Sequence, residues 1–413
     1  MSAPPEPVTA AEREPILDLL RGFALLGILL VNIELMRGPA LYDALVGVLP
    51  APVSRADEVT QFLTGWLAAG KFVSSFALLF GVGAALLAGR AAARGSSPRR
   101  LLARRYTLLA VFGLVHMVLL FPGDVLFLYA LTGFALLLFL DLGPRGALAW
   151  AGLILAGLTA VSTLATWAAT QLPALNSPVD DPFTVAMEGF FAGRGEAAVA
   201  AYTEGGVLAV LGARSFEAAV VQGGALLTLP WVLALFLIGF AATRAGVATA
   251  PGEHRVLLRR LAVVGLGVGL PVNLVLGRVG TLGAAMGTVG ELEDAWVMVA
   301  VVPAQLLGAP LLAVGYLATL TLLGLRFGVW RPLAAVGRMA LTAYLTQSLT
   351  ATVVFVGLGT YGSWSATEAL AVVVGTWVLL LVACPLWLRW FRFGPVEWVW
   401  RRWTYRSPQP MRR

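Results

Sequence analysis

The stretch ILDLLRGFALLGILLVNIELM, residues 16–36, decides the class of fold. It is almost continuously apolar, and about 20 apolar residues in a helix can cross the hydrocarbon core of a bilayer. It nevertheless contains Asp18, Arg21, Asn32 and Glu34, and polar groups inside a membrane usually face a partner or a wet cavity. Asp18 and Arg21 share one helix face. They form either an ion pair that reaches the interface or part of a polar site that this helix lines.

The composition of the whole chain indicates an integral, polytopic membrane protein. Hydrophobic residues make up 59% of the 413 residues and charged residues only 12%, whereas soluble domains contain about 25% charged residues. The net charge of +7 comes from arginines in short loops between apolar runs, which is typical of membrane orientation. We therefore expect the lipid bilayer as a partner and no nucleic acid. One cysteine and two histidines argue against disulfides and against a cysteine or histidine metal site.

Hydropathy predicts an all-α fold with ten membrane-spanning helices and both termini in the cytoplasm. The loop RAAARGSSPRRLLARR, residues 90–105, contains six arginines, and such loops lie on the cytoplasmic side. Every other arginine-rich loop then falls on the same side. The predicted spans are residues 16–36, 71–93, 101–121, 125–140, 148–170, 223–243, 256–276, 295–325, 339–358 and 367–388.

The chain is expected to form a single integral membrane domain, residues 1–413. Residues 1–13 are expected to be a flexible N-terminus, and residues 172–222 a longer outer loop with interfacial helices. The tail, residues 389–413, is basic and aromatic, which suits a cytoplasmic interface. The span at 295–325 either crosses with a tilt or contains a break at one of its prolines.

His116 is the first candidate for chemistry. It precedes the outer end of the third span by about five residues and so lies roughly 7 Å below that end. A histidine in a membrane is a functional candidate, and imidazole is the usual general base near neutral pH. It could also be a neutral histidine bonded to a neighbouring helix. Asp124 follows Pro-Gly and either caps the next helix or, if the turn folds back, orients His116.

A second candidate is the polar helix face that follows Arg338. Tyr344, Gln347 and Ser348 share one face because their spacing is i, i+3 and i+4. Such a face can line a cavity, or it can provide contacts between helices. In the first case Arg338, Tyr344 and Gln347 would bind substrate.

Several stretches together resemble the bacterial YeiB-like membrane proteins, a family named for unknown function, nearly from end to end. They are RGFALLGILLVNI, KFVSSFALLFGVGAAL, GLVHMVLLFPGDVLFLYALTG, GRMALTAYLTQS and GPVEWVWRRWTY. That family in turn resembles, more weakly, the transmembrane acyltransferase superfamily, including the acyltransferase-3 proteins and the lysosomal heparan-glucosaminide N-acetyltransferase. Those enzymes transfer an acyl group from a cytoplasmic donor, commonly acyl-CoA, to a sugar hydroxyl or amine.

In acyltransferase-3 proteins the first helix has an arginine, ten intervening residues and a catalytic histidine; the heparan-type branch has an asparagine-like position and a histidine shortly afterwards. Here Asn32 follows Arg21 at that spacing, and no histidine lies between Asn32 and His116. The resemblance therefore implies His116 as the base, with Arg21 and Asn32 lining a channel. Acyl-CoA would be a co-substrate and not a permanently bound cofactor. Its phosphates would meet loop arginines, whose alternative role is membrane orientation alone: Arg99, Arg100, Arg104 and Arg105.

Two functions remain open at this point. One is an acyltransferase of the bacterial inner membrane that acts on a glycan, lipid or small-molecule acceptor near the outer face. The other is a transporter, or a lipid- or small-molecule-binding membrane protein, that uses the same polar faces without acyl chemistry. Both predict that Arg21, Asn32, His116 and Arg338 face one interior cavity.

Overall fold

The fold is helical throughout the described part of the chain. The computed structural model describes residues 14–45, 51–171, 182–281, 283, 295–407 and 409–413. Within these ranges the only extended pairing is an isolated bridge between Phe391 and Arg412, so the predicted all-α class is confirmed. The expected flexible N-terminus (1–13) and the beginning of the expected outer loop (172–181) lie outside the described residues.

We number the helices in chain order. Short stretches of other helix types extend some of them: a 3₁₀ turn at Leu137–Phe139 and π turns at Ala304–Gly308 and Thr352–Gly357. The helices are α1 (Pro15–Met36), α2 (Ala40–Leu45), α3 (Arg55–Leu67), α4 (Lys71–Ala93), α5 (Pro98–Leu119), α6 (Leu126–Leu136), α7 (Pro144–Gln171), α8 (Pro182–Thr203), α9 (Val207–Leu227), α10 (Leu229–Arg244), α11 (Arg255–Arg278), α12 (Ala295–Pro303), α13 (Ala309–Phe327), α14 (Arg331–Arg338), α15 (Ala340–Ala351), α16 (Ala366–Trp390) and α17 (Pro395–Tyr405).

Among the described residues, eight helical segments are long and apolar enough to cross a membrane, and α9 with α10 makes a ninth if the bent pair is one span. The sequence predicts ten, and the difference is the apolar segment Leu126–Phe139, which is shorter than the others. The protein is thus a multi-pass membrane protein. The cytoplasmic position of the two termini stays a prediction. The eight segments are Pro15–Met36, Arg55–Ala93, Pro98–Leu119, Pro144–Gln171, Arg255–Arg278, Trp296–Phe327, Ala340–Gly357 and Ala366–Trp390.

The bent pair differs most from the sequence prediction. The sequence predicts one span at 223–243, but α9 begins at Val207, and α10 leaves it at an angle of 59° after Thr228. Pro230 explains the bend, because proline has no N–H for the helical ladder and its ring clashes with the preceding turn. As a result, α9 packs against the C-terminal part of α5.

The predicted span at 295–325 contains a π turn. Helix α12 ends at Pro303, and the π turn Ala304–Gly308 separates it from α13. A π turn is a local irregularity of the hydrogen-bond ladder that is often found near functional sites. Residues Trp296–Phe327 nevertheless form one helical segment of 32 residues, so the structure shows a π turn at this place and not a break, and the tilt of the segment stays a prediction.

Helix α1 lies at the centre of the fold. In its apolar window 67% of the residues are buried, against 22% in α7. It packs on α4, α13, α14, α15 and α16. Its contact with α14 is very close: a Cβ on Gly22 would overlap the carbonyl oxygen of Leu333, and one on Gly337 would overlap that of Asp18. This contact brings Arg338, at the end of α14, close to the Asp18 turn of α1.

Helix α4 packs equally closely on α10. A Cβ on Gly81 would overlap the carbonyl oxygen of Phe236, and one on Gly239 would overlap that of Leu78. The neighbouring Phe80 stacks on Phe236 with ring centroids 4.7 Å apart. The close backbone contact therefore lets an aromatic layer form beside α4.

Replacement of Gly81 by alanine should lower the stability of the protein, because the added methyl group forces α4 and α10 apart. Overpacking of this kind costs about 1–3 kcal/mol. Gly89→Ala on the same helix is the matched control, since a Cβ there meets nothing within 4 Å. Thermal unfolding in detergent measures both variants, and equal unfolding temperatures would contradict the described α4–α10 contact.

Candidate functional site

The last turn of α5 contains a histidine whose two ring nitrogens are both hydrogen-bonded. Nδ1 of His116 lies 2.8 Å from Oδ1 of Asp124, and Nε2 lies 2.9 Å from Oγ of Ser348. All three residues are buried, with exposures of 1% for His116, 3% for Asp124 and 1% for Ser348. Two hydrogen bonds join these side chains in the order Asp124, His116 and Ser348, and we call the three residues the relay.

The turn after α5 folds back and brings Asp124 to His116. The carbonyl oxygen of His116 accepts the N–H groups of Leu120 and Phe121 at 2.8 and 3.0 Å, which ends the helix. Oδ2 of Asp124 then accepts the N–H of Phe127 at 2.8 Å and caps the start of α6. The sequence left open whether Asp124 caps the next helix or orients His116. The carboxylate does both, because Oδ2 caps α6 and Oδ1 bonds to His116.

The hydrogen-bond pattern assigns the tautomer of His116. A carboxylate only accepts hydrogen bonds, so the N–H of a neutral imidazole lies on Nδ1, toward Asp124. Nε2 is then an acceptor and receives the hydroxyl proton of Ser348. The other acceptor near this hydroxyl, the carbonyl oxygen of Tyr344, is 3.5 Å away and therefore binds it weakly. This arrangement combines a base, an orienting carboxylate and a hydroxyl that the base can deprotonate.

Two side chains of α9 hold the turn that contains Asp124. Arg214 donates to the carbonyl oxygen of Leu119 and, at 3.1 Å, to Oγ1 of Thr352. Gln222 donates to the carbonyl oxygen of Asp124 at 2.9 Å. Helix α9 therefore covers the relay and fixes the backbone on which it is built.

Glu217, three residues after Arg214, is a buried carboxylate that joins two further helices to α9. Glu217 accepts the hydroxyl of Tyr42 at 3.1 Å and that of Tyr202 at 2.6 Å. Burial, followed by the charge of Glu217, raises the pKa of both tyrosine hydroxyls, so both remain protonated donors. The cluster links α2, α8 and α9.

A cavity of about 270 Å³ is lined by residues of α1, α4, α5, α6, α14, α15 and α17. One arginine comes from each of α1, α4, α5, α14 and α17, and we call this space the arginine cavity. The N-terminal halves of α1 and α5 and the C-terminal end of α4 place these arginines at one end. Within the described residues, no group of three or more His, Cys, Asp or Glu side chains is placed to hold a metal ion. The lining charged residues are Arg21, Arg90, Arg105, Arg338 and Arg401, with Glu14, Asp18 and Glu397.

The C-terminal helix α17 closes the arginine end of the cavity. The carboxylate of Glu397 accepts the N–H of Thr342 at 2.9 Å and its hydroxyl at 2.5 Å. The guanidinium of Arg105 lies over the ring of Trp400, 3.5 Å from its centroid, and the indole N–H of Trp400 donates to the Arg105 carbonyl at 2.9 Å. The two C-terminal motifs of the sequence, GRMALT and GPVEW, thus contact each other here.

The opposite end of the arginine cavity is apolar and reaches Tyr344. Leu25, Ile28 and Val125 are among its lining residues. The ring centroid of Tyr344 lies 4.9 Å from that of His116. The relay therefore lies one side chain beyond the end of the cavity.

Some of the predicted site residues come together here and others do not. Arg21, Arg105, Arg338 and Tyr344 line the arginine cavity, and His116 lies behind Tyr344. The expectation of one shared cavity therefore holds for Arg21 and Arg338, whereas His116 is separated from it by an aromatic ring.

Two predicted substrate-binding residues lie elsewhere. Asn32 follows Arg21 by eleven residues, which places it about 16 Å further along α1, and it is not among the residues that line the cavity. Gln347 is buried, but its amide donates to the carbonyl oxygen of Leu25 at 3.1 Å. Gln347 thus joins α15 to α1 and does not line the arginine cavity in the described structure.

Three of the four predicted phosphate-binding arginines also lie outside the cavity lining. Arg99 pairs with Asp141 at 2.7 Å on the surface. Arg100 is exposed on the first turn of α5. Arg104 points about 100° away from Arg105 around the helix, and only Arg105 of the four lines the arginine cavity.

Several contributors to the site do not follow from the sequence. The sequence predicts Ser348 on a polar helix face but gives it no chemical role, although its i+4 spacing from Tyr344 puts both on the side of His116. Arg90 and Arg401 carry no signal that separates them from orientation arginines. Arg214 binds backbone far away in the chain, and no spacing in the sequence reveals such a contact.

Replacement of Asp124 by alanine should lower the free energy of unfolding by about 2–4 kcal/mol, because it leaves the buried Nδ1–H of His116 unpaired and removes a helix cap. Asp141→Ala is the matched control: its carboxylate binds Arg99 at 2.7 Å but is 81% exposed, and exposed ion pairs contribute about 1 kcal/mol at most. Unfolding in detergent measures both. A loss for Asp124→Ala no larger than for Asp141→Ala would contradict the described relay.

Stability should fall as the pH rises through the range in which Glu397 ionises. Burial raises the pKa of the Glu397 carboxyl above its ordinary value of 4.5, although the hydrogen bonds from Thr342 oppose this shift. The folded state then holds the proton more tightly than the unfolded state, so the free energy of unfolding decreases between pH 4.5 and the raised pKa. Glu397→Gln lacks this dependence.

The measurement for Glu397 is the unfolding temperature of both proteins from about pH 4 to about pH 8. The variant should gain stability relative to the unaltered protein as the pH rises. If the difference in unfolding temperature between Glu397→Gln and the unaltered protein does not change with pH, this would contradict the raised pKa of Glu397.

Comparison with known proteins places the chain in a family. A family model described as "Protein of unknown function (DUF418)" matches residues 242–407. The uncharacterized protein YeiB of Escherichia coli (strain K12) is 32% identical over 97% of this chain and 98% of its own length. The uncharacterized protein YxaH of Bacillus subtilis (strain 168) is 29% identical over 98% of both chains. This chain therefore belongs to the YeiB-like family of membrane proteins.

Proposed function

We propose that this protein is a membrane-embedded acyltransferase. It transfers an acyl group from an acyl-CoA-type donor in the cytoplasm to a hydroxyl or amine acceptor near the outer face. The observation that supports this best is the position of the relay: Asp124, His116 and Ser348 lie one aromatic ring beyond an apolar pocket whose other end is lined by arginines. The proposal assigns the relay to proton transfer, the apolar end of the cavity to the acyl group and the arginines to the phosphates of the donor.

The arginine cavity suits a donor with phosphates at one end and an acyl group at the other. Arginine binds phosphate through two parallel donors, and five arginines outnumber the three carboxyl groups of the lining. Arg105 and His116 are eleven residues apart on α5, about 16 Å along the axis. A donor must bridge this distance with a long, thin arm, and coenzyme A has such an arm between its phosphates and its thiol.

The relay supplies the acid–base chemistry of the transfer. His116 is the base, and the carboxylate of Asp124 holds its tautomer and stabilises the imidazolium that forms. A positioned base of this kind typically accelerates a reaction by about 10²–10⁴-fold. Burial of the three residues excludes water, which would otherwise hydrolyse the donor.

The orientation in the membrane follows from the same proposal. The protein lies in the bacterial cytoplasmic membrane with its arginine-rich loops inside, so the arginine cavity faces the cytoplasm, where acyl-CoA is made. The acceptor, a glycan, lipid or small molecule, approaches from the side that α9 covers. No cofactor stays bound between turnovers, since both the donor and the acceptor are consumed.

A transporter is the second candidate, because α9 and α10 form a bent pair in the described part of the chain. The bend at Thr228 resembles the interrupted helices at transporter binding sites, and the π turns Ala304–Gly308 and Thr352–Gly357 are further local irregularities of the kind often found near functional sites. This function requires flux of a substrate across proteoliposomes without release of CoA. The same purified protein therefore tests both.

Binding and turnover of acyl-CoA by the purified protein test the proposal. Calorimetry should show saturable binding of acetyl-CoA or palmitoyl-CoA, and Arg105→Ala should weaken it about 10–100-fold through loss of charged hydrogen bonds. His116→Ala should bind with unchanged affinity, since His116 lies behind Tyr344, but its release of CoA in the presence of an acceptor should fall about 10²-fold or more.

Arg145→Ala is the control for Arg105→Ala. Arg145 is exposed at the start of α7 and does not line the arginine cavity. The affinity of the Arg145→Ala variant for acyl-CoA should therefore equal that of the unaltered protein. Absence of binding for both donors, combined with substrate flux in proteoliposomes, would replace the acyltransferase by the transporter.

A further inference from the structure

His116 has no free ring nitrogen for an acceptor. Nδ1 is engaged by Asp124 at 2.8 Å and Nε2 by Ser348 at 2.9 Å. An acceptor hydroxyl can reach Nε2 only if Ser348 moves away. The oxygen that the base is already placed to deprotonate is therefore Oγ of Ser348 itself.

We infer that Ser348 is the nucleophile of the protein: it takes the acyl group from the donor as a serine ester and then passes it to the acceptor. This inference rests on the proposed function, and it changes the reaction from a direct transfer into two successive transfers. Its basis is the geometry of the relay, in which carboxylate, imidazole and hydroxyl follow one another at hydrogen-bond distance.

The position of Ser348 suits attack on a donor in the arginine cavity. Ser348 follows Tyr344 by one helical turn on α15 and shares its face, and Tyr344 forms the end of the cavity. The apolar end of the cavity therefore points at the relay, with one ring between them. A change in the side-chain torsion angle of Tyr344 is the movement that exposes Oγ to an acyl carbonyl.

The surroundings of Ser348 favour a reactive hydroxyl. Its exposure is 1%, and its second possible acceptor, the carbonyl oxygen of Tyr344, is 3.5 Å away. Its proton is thus directed at His116. Charge interactions are strong in such a dry site, so the carboxylate of Asp124 stabilises the imidazolium effectively.

The first transfer uses the thioester of the donor. Oγ of Ser348 attacks the carbonyl carbon while its proton moves to Nε2 of His116. The carbon–sulfur bond breaks, and the departing CoA sulfur takes the proton from Nε2 and leaves as the free thiol. The products are acyl-Ser348 and CoA.

The second transfer reverses these roles. The acceptor hydroxyl or amine loses its proton to Nε2 and attacks the ester carbonyl carbon. The bond between this carbon and Oγ breaks, and Oγ takes the proton back from His116. The protein returns to its starting state, and no oxidant, reductant or metal is consumed.

The test is incubation of the intact purified protein with acetyl-CoA or palmitoyl-CoA in the absence of any acceptor. The unaltered protein should release about one CoA per chain in a burst, and mass spectrometry should find the acyl group on Ser348. Ser348→Ala should show neither, and its steady acyl transfer should fall about 10³-fold or more. Ser348→Cys should keep the burst as a thioester that neutral hydroxylamine cleaves.

Thr350→Val is the matched control on the same helix. The hydroxyl of Thr350 bonds to the carbonyl oxygen of Thr346 within α15, so its loss should leave the burst and the adduct unchanged. If Ser348→Ala does not fold, as judged by its unfolding temperature, Ser348→Cys and the adduct on the unaltered protein decide the question.

The outcomes separate this inference from the function on which it rests. Release of CoA only when an acceptor is present, with no burst and no acyl group on Ser348, would overturn the serine ester and leave the acyltransferase intact. No release of CoA from the unaltered protein under either condition would overturn the acyltransferase and the serine ester together.

Discussion

The bonding of one buried imidazole constrains the whole site. A polar group buried away from water and left without a hydrogen-bond partner costs about 1–3 kcal/mol, so both nitrogens of His116 need partners inside the protein. Asp124 reaches one of them because the turn after α5 folds back, and this requires Gly113, where a Cβ would collide with the start of α6. Ser348 satisfies the other nitrogen and so joins α15 to α5 through a hydrogen bond. Two buried hydrogen bonds thus link the end of α5 to the turn before α6 and to α15.

The helical membrane fold could be predicted from sequence because lipid allows the backbone few alternatives. A chain in hydrocarbon must satisfy its own hydrogen bonds, so long apolar runs become helices. The deviations depend on packing, which hydropathy does not measure. Pro230 lies within a predicted span, and the helix bends there by 59°. The π turn after Pro303 lies inside one helical segment, and hydropathy does not indicate it. Gly81 and Gly89 look alike in the sequence, yet only Gly81 touches another helix.

The site was less predictable because its partners are distant in the chain. His116 could be proposed because histidine is rare in this chain, and Asp124 because it lies in the turn that follows the same helix. Ser348 lies 232 residues beyond His116, and only the helix face that it shares with Tyr344 indicated its direction. Arginines were the hardest case, because membrane orientation and ligand binding both favour arginine. Arg99 and Arg105 belong to one cluster near a loop. They differ in their position on the helix: Arg99 forms a surface ion pair, whereas Arg105 lines the arginine cavity.

The relay is closed on two sides, and this affects how an acyl donor and an acceptor could reach it. Tyr344 separates it from the arginine cavity, and α9 holds the opposite turn through Arg214 and Gln222. In the proposed reaction, a direct transfer would require donor and acceptor to reach His116 together, so both closures would have to open at once. A serine ester removes that requirement. In the two-step reaction that we propose, the acyl group would arrive from the side of Tyr344, stay on Ser348, and leave toward the side of α9.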